Sequence, residues 1–404
     1  MNKTMLKNAM KVLSPIVRKT PLNNVSNLVS DYYLYVKLEN LQYTGSYKLR
    51  GAYYRMSCLN EEEKKRGVIA ASAGNHAQGV AYAANKMGIK AVIVMPQFAP
   101  LSKINATKEL HAEVVLYGAN FDEAYQHAKE LQKIHNYTFI EPFNDKRVIA
   151  GQGTVGLEII NTLPNVDVVL VPIGGGGLAS GVGYAIKSVN PNCKVYGVEA
   201  NGADSMKCSL ERDCIVHLEQ VSTIADGIAV KKPGDLTFDM CKRYLDGIVC
   251  VSDEEIEQTA LILLEKAKIV TEGAGATATA AALFEKLDLR GKNVVSIISG
   301  GNVDVNFLEQ VINRALILQG RKLIVNCSVF DRPGNLNKLL ELIAQAGANV
   351  ISINHERSGN TRICGYCDVE LCLETYNKEH IKEILSLMEE KGYKPKLKCQ
   401  EVLL

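Results

Sequence analysis

Hydrophobic positions change period many times along the first three-quarters of this chain. Short runs rich in β-branched and aliphatic residues read as strands: Tyr33–Leu38, Val68–Ala71, Ala91–Met95, Glu113–Tyr117, Val168–Ile173, Lys194–Glu199, Ile248–Val251 and Asn293–Ile298. Between them, apolar residues recur at three and four positions, as in Gln78–Met87 and Glu255–Ala267, the spacing of helices. Ser252-Asp-Glu-Glu255 opens the second of these with a capping-box pattern. Runs such as Val168–Ile173 are apolar throughout, as expected of strands covered on both faces. The alternation predicts an α/β fold with mainly parallel, open twisted sheets and helices on both faces.

The texture changes near Gln319. Lys322–Phe330 alternates like a half-buried strand, and Asp331-Arg-Pro-Gly-Asn335 reads as a turn. Leu336, Leu339, Leu340 and Ile343 repeat at helical spacing up to Gly347. Ala348–His355 and Ile363–Leu373 read as strands joined by a polar turn at Glu356–Thr361. Ile381, Ile384, Leu385 and Met388 mark a second helix, and Tyr393–Lys398 a last strand. The order βαββαβ predicts a ferredoxin-like unit over 321–404, separate from 1–320. It holds no catalytic cluster, so it reads as a binding or regulatory module.

Composition narrows the partners. A chain of 404 residues suggests two to three domains at roughly 150 residues each. A net charge of +2 removes the electrostatic argument for nucleic acid or an acidic membrane. Balanced charge with 47% hydrophobic residues disfavours disorder. Lys7, Lys11, Arg18 and Lys19 break up any secretory pattern at the N-terminus. The uncharged stretch Val168–Ile186 contains Pro172 and a run of four glycines, so it reads as strand, turn and helix start rather than a membrane span. Eleven cysteines without a framework fit reduced thiols and a cytoplasmic protein. Cys364-Gly-Tyr-Cys367 is the lone CxxC. Residues three apart on a strand face opposite ways, so the pair is a poor metal clamp.

Ligands of open parallel sheets bind at the carboxyl ends of strands. Gly174-Gly-Gly-Gly177-Leu178 follows one strand and precedes a helix. Its backbone N–H groups suit a phosphate, although a tight turn also explains the glycines. Ser299-Gly-Gly-Asn302 follows another strand and has the same two readings. In Ser72-Ala-Gly-Asn-His-Ala-Gln-Gly79, Ser72 or Asn75 could cap the next helix, or the loop could bind a carboxylate. His76 could be a base or a structural histidine. Lys48, in Ser46-Tyr-Lys-Leu-Arg-Gly-Ala52, would be reactive only if burial or a nearby positive charge kept its amine neutral; Arg50 is close in sequence, but a side chain two residues away need not face the same way.

Taken together, SYKLRGA, SAGNHAQG, GGGGL and SGGN, in that order, strongly resemble the fold-type II pyridoxal-phosphate enzymes. The likeness is closest to the serine/threonine dehydratases. Glu141-Pro-Phe-Asn-Asp145 and Gly151-Gln-Gly-Thr154 extend the resemblance over about residues 5–320, and the tail resembles an ACT domain. The resemblance implies a smaller subdomain, about 50–150, inserted in a larger one, and pyridoxal 5'-phosphate as cofactor. Lys48 would hold the cofactor aldehyde. Gly174, Gly175, Gly176, Gly177 and Leu178 would wrap its phosphate. Asn75 would meet the phenolic oxygen, Ser299 the pyridine nitrogen, and Gly227 would lie near the ring. Ser72, Ala73, Gly74, Asn75 and His76 would bind the substrate carboxylate.

The implied reaction is β-elimination of L-threonine or L-serine to a 2-oxo acid and ammonia. The alternatives are a serine-selective dehydratase, a serine racemase, or an inactive amino-acid-sensing protein. Related racemases carry serine where Ala73 stands, which favours elimination. Tyr47 replaces the usual phenylalanine, and its hydroxyl needs a partner if buried. The ACT resemblance implies a homo-oligomer, dimer or tetramer, and an amino-acid effector, isoleucine among the candidates, near Asp331, Pro333, Gly334 and Asn335. Glu199, Ala203 and Asp204 lie where some relatives bind a cation, but they supply few hard ligands, so the metal stays undefined.

Overall fold

The computed structural model describes residues 1–357 and 365–398, and the chain divides into two compact units, Met1–Val305 and Asn306–Leu404. Cys364 and the start of the expected strand Ile363–Leu373 lie outside the described residues.

The first unit runs through β1 (Leu22–Asn24), β2 (Tyr33–Leu38), β3 (Val68–Ala71), β4 (Ala91–Met95), β5 (Glu113–Leu116), β6 (Thr138–Phe139), β7 (Val168–Pro172), β8 (Lys194–Ala200), β9 (Gly247–Val251) and β10 (Asn293–Ile298). One sheet has the order β1-β2-β10-β7-β8-β9 and is parallel except where β1 meets β2; the other, β5-β4-β3-β6, is parallel throughout. Strands β3, β4 and β7 are buried at every residue, because helices cover both faces. The second sheet lies between residues 68 and 139, within the span expected for an inserted subdomain.

Two local expectations change. The helix after Ser252 has its capping box, with Ser252 Oγ accepting from Glu255 N at 3.2 Å. Regular α-helix ends at Ile262, however, and Leu263–Ala267 is π-helical. Neither Ser72 nor Asn75 caps the helix Asn75–Met87. Gly74 occupies the cap without a side-chain bond, and Ser72 Oγ instead accepts from Gly74 N at 3.1 Å.

The Gly151-Gln-Gly-Thr154 motif is a packing device. A Cβ on Gly151 would lie 2.5 Å from the Arg50 carbonyl oxygen, and one on Gly153 would lie 2.9 Å from that of Gly181. The helix Lys146–Thr162 can therefore pack closely against Lys48–Ser57 on one side and Gly177–Val189 on the other. Gln152 Oε1 accepts from Gly51 N at 3.2 Å. These contacts hold the helix that begins with Lys48.

The second unit contains most of the helix Val305–Leu318, then β11 (Lys322–Phe330), helix Asn335–Gln345, β12 (Asn349–Glu356), β13 (Tyr366–Glu374), helix Lys378–Glu390 and β14 (Lys396–Leu397). Its antiparallel sheet has the order β12-β13-β11-β14. Leu323, Val325 and Val329 of β11 and Val369, Leu371 and Leu373 of β13 alternate onto one face. They pack with Leu339, Ile343, Ile381 and Ile384 of the two helices. Among the described residues, no helix is long and apolar enough to cross a membrane.

Candidate active site

Lys48 opens a helix whose entry is pinned to the end of β10. Ser46 bridges to Gly300, and Tyr47 N donates to the Ser299 carbonyl at 3.1 Å. The Lys48 amine donates to the Pro142 carbonyl at 3.1 Å. Loss of solvent lowers its pKa to about 8, and the Glu272 carboxylate partly opposes that shift. Arg50 plays no part in this. Its guanidinium, fully buried, grips Glu39 at 2.8 Å and Glu158 at 2.7 Å, and Lys37 also reaches Glu158 at 2.6 Å. Two residues apart on a helix do not face one another, so burial rather than a neighbouring cation favours the neutral amine.

Asn75 is held from both ends. Its Nδ2 donates to Glu272 Oε1 at 2.6 Å, and its Oδ1 accepts from Asn302 Nδ2 at 2.7 Å. Asn302 Nδ2 also donates to the Thr44 carbonyl at 2.8 Å. Glu272 is the site residue that sequence reading missed. Burial, then the charge of Asp226, raises its pKa to about 7. The available signal was an acidic residue at the N-cap of Gly273–Leu283, a helix of alanine, threonine, glycine and one leucine, and almost wholly buried.

His76 is a wall of the site rather than a base. Its Nε2 lies 2.9 Å from the Ile140 carbonyl, a contact made by the tautomer with hydrogen on Nε2. Burial, then the Lys48 charge, lowers its pKa to about 3, so the ring stays neutral.

The glycine loop follows β7. Gly176, at φ +87°, is the N-cap of Gly177–Val189 and offers no side-chain cap, so the amides of the first turn stay available to an anion. A Cβ on Gly175 would overlap the Phe143 ring, and one on Gly177 would lie 2.9 Å from Phe143 Cβ. Phe143 directly follows Pro142, whose carbonyl receives Lys48, so the loop and the lysine share one wall. Thr237 Oγ1 donates to the Gly175 carbonyl at 2.6 Å and fixes the loop from behind.

The structure brings other expected residues to the same place. A Cβ on Gly227 would be 3.7 Å from Glu272 Oε1 and 3.9 Å from Asn75 Nδ2. Ser299 is buried and donates to the Ala274 carbonyl at 3.2 Å. Gly74 faces open space, while Ala73 packs against the core of the smaller sheet. Tyr47 packs against the core of the larger sheet, and burial raises the pKa of its hydroxyl. Lys48 Nζ stands 5.4 Å from its ring centroid.

The residues fit a phosphate-bearing aldehyde. They supply a desolvated amine, an uncapped helix start built of glycine, an oriented amide and a buried hydroxyl. Thr44 Oγ1 and Ser46 Oγ, beside them in sequence, are buried without a hydrogen-bond partner.

The expected cation residues are engaged differently. The Glu199 carboxylate accepts from Met206 N at 3.0 Å and Lys207 N at 2.8 Å, and burial raises its pKa to about 8. Asp204 accepts from the Cys208 thiol. Among the described residues, no cluster of metal-ligating side chains forms there.

The chain belongs to the pyridoxal-phosphate dependent enzyme family, which it matches over residues 13–300, and its cofactor is pyridoxal phosphate. It is 52% identical to the L-threonine ammonia-lyase of Thermotoga maritima, over 97% of this chain and 98% of that one. It is 45% identical to the L-threonine ammonia-lyase of Geobacter sulfurreducens, over 89% and 90%. Threonine deaminase isoform 2 from Solanum lycopersicum superposes with a TM-score of 0.74 at 40% identity, over 78% of this chain and 89% of that one. Maize serine racemase does so with 0.73 at 34%, over 78% and 97%.

Proposed function

We propose that this enzyme eliminates the β-hydroxyl of L-threonine, and of L-serine as a second substrate, to give 2-oxobutanoate or pyruvate and ammonia. The observation that carries the reading is the Lys48 amine, desolvated to a pKa of about 8, bonded to the Pro142 carbonyl beside the Phe143 wall of the glycine loop, and within the field of Glu272, which holds Asn75. The end-to-end likeness to an L-threonine ammonia-lyase supports the substrate. When bound, the cofactor supplies an electron sink for the electrons of the substrate Cα–H bond.

The protein does the rest. Lys48 would hold the cofactor aldehyde, and its Nζ is placed to take the substrate α-proton. The amides of Gly174 to Leu178 would hold the phosphate. Asn75, oriented by Glu272 and Asn302, serves the phenolic oxygen. Ser299 would meet the pyridine nitrogen with a hydroxyl, which could not keep that nitrogen protonated as a carboxylate would. A weaker sink favours prompt loss of the hydroxyl. The loop Ser72–His76, at the uncapped start of a helix, suits the substrate carboxylate. Ala73 has no proton to transfer to the second face, which supports elimination over racemisation.

The second unit acts, in this reading, as an ACT-type regulatory module in a cytoplasmic homo-oligomer, with an amino-acid effector such as isoleucine near Asp331, Pro333, Gly334 and Asn335. Asp331 pairs with Arg357 at 3.2 Å, and Asn335 Nδ2 donates to the Phe330 carbonyl at 3.0 Å, so the turn is preformed.

The test is the absorbance spectrum of the purified protein with L-threonine added and 2-oxobutanoate assayed in the same cuvette. The expected result is a visible band, absent in Lys48→Ala, and steady oxo-acid release. A band without oxo-acid release would support a racemase, seen as D-serine formed from L-serine, or another lyase, and no band in cofactor-supplemented protein would leave the amino-acid-sensing alternative.

A further inference from the structure

We propose that the second unit carries a transition-metal site of zinc type built by Asp331, His355 and Cys367. One ligand atom from each lies within 4.8 Å of the others. They come from three strands: Asp331 directly follows β11, His355 is the penultimate residue of β12, and Cys367 is the second residue of β13.

The register explains their convergence. Val329 pairs with Cys367 and His355 pairs with Val369. Side chains two apart on a strand share a face. Cys367, His355 and Val329 therefore share one face of the sheet, and Asp331 continues the parity of Val329 at the strand end. The sequence alone offers Cys364 as the partner of Cys367, whereas the sheet supplies others from neighbouring strands.

The donor set selects the ion. Thiolate, imidazole and one carboxylate suit Zn²⁺ or Co²⁺, whereas Mg²⁺ and Ca²⁺ require several oxygens. Three protein donors leave a fourth position for water or a small ligand. Their present contacts are easily exchanged. The Cys367 thiol donates to the Val329 carbonyl at 3.3 Å. Asp331 pairs with Arg357, whose side chain is 73% exposed and free to swing out. The His355 ring has no hydrogen-bond or ion-pair partner among the described residues. Arg332, a second cation among the described residues of this turn, lies over the Phe330 ring. On binding, the thiol proton leaves to solvent as the sulfur–metal bond forms, and the carboxylate exchanges Arg357 for the ion.

The test uses the full-length, cofactor-loaded enzyme after chelator treatment. It is titrated with Co²⁺ and read as a difference spectrum, and zinc is counted after equilibrium dialysis. One metal per chain is expected, with a thiolate-to-cobalt charge-transfer band. Cys367→Ser should abolish the band. His355→Ala, at an exposed position, should weaken binding at least about tenfold while the cofactor absorbance of the first unit stays unchanged. Cys214→Ser, at an exposed cysteine of the first unit, should leave binding intact. Substoichiometric metal, binding indifferent to His355→Ala, or loss of binding in Cys214→Ser would each overturn the proposal.

Discussion

Glu272→Gln should gain stability relative to the wild type as the pH rises in the cofactor-free protein, while weakening the site. In the folded chain the Glu272 pKa rises from 4.5 to about 7, chiefly through burial. A rise of that size corresponds to about 3 kcal/mol of ionisation free energy that the folded state lacks relative to the unfolded one. The folded state binds this proton more tightly. Stability from this group is therefore full below the unfolded pKa and is lost as the pH climbs through the folded value. Glutamine has no such dependence and can still accept from Asn75 Nδ2. Its other end loses an acceptor, a cost that does not change with pH. The stability gap, variant minus wild type, should thus widen by about 3 kcal/mol between about pH 4.5 and about pH 8.5. Urea denaturation at the two pH values, followed by circular dichroism, measures that change and cancels the constant offset. A gap that stays the same at both would refute the claim that Glu272 is a desolvated acid held at the site against its preference. The same variant, loaded with cofactor, should turn over L-threonine more slowly, because Asn75 is then held by a neutral acceptor.

Other perturbations test separate parts of the molecule. Arg50→Leu leaves the buried carboxylates of Glu39 and Glu158 with Lys37 as their remaining cation. It should cost about 3–5 kcal/mol, seen as a fall in Tm or as insoluble protein, and a Tm near wild type would count against the network. Gly175→Ala drives a methyl group into the Phe143 ring and should weaken cofactor binding in an absorbance titration, whereas unchanged affinity would show that the loop yields freely. Ala73→Ser restores a hydroxyl on the loop. Chiral chromatography of L-serine incubations should then detect D-serine that the wild type does not make.

The parts of the site legible in the sequence are those built from neighbours in the chain. β10 was readable to the residue because the five positions after Asn293 are β-branched or small in an unbroken run. Lys48, Asn75, the glycine loop and Ser299 each sit at the end of a strand or the start of a helix, where sequence punctuation is strongest. Strands β1 and β6 escaped because they are only 3 and 2 residues long, too short for any period to register. The π-helical end after Ile262 escaped as well, because its residues carry the same spacing as the α-helix before it.

What could not be read is whatever depends on distant partners. Glu272 meets Asn75 across 197 positions, and no local pattern distinguishes it from an ordinary N-cap acid. Arg50 shows the limit from the other side. Adjacency to Lys48 left an electrostatic role open, and helix geometry closes it by sending the two side chains to opposite faces. One then serves the cleft, while the other anchors the buried network with Glu39 and Glu158 that holds the same helix in place. The motif SYKLRGA is thus two devices sharing one helical turn. Its lysine is the base of the proposed reaction, its arginine fixes the helix, and Gly51 admits the Gln152 helix to the same contact. Replacing Arg50 should therefore disturb Lys48 through the position of the helix rather than through its charge.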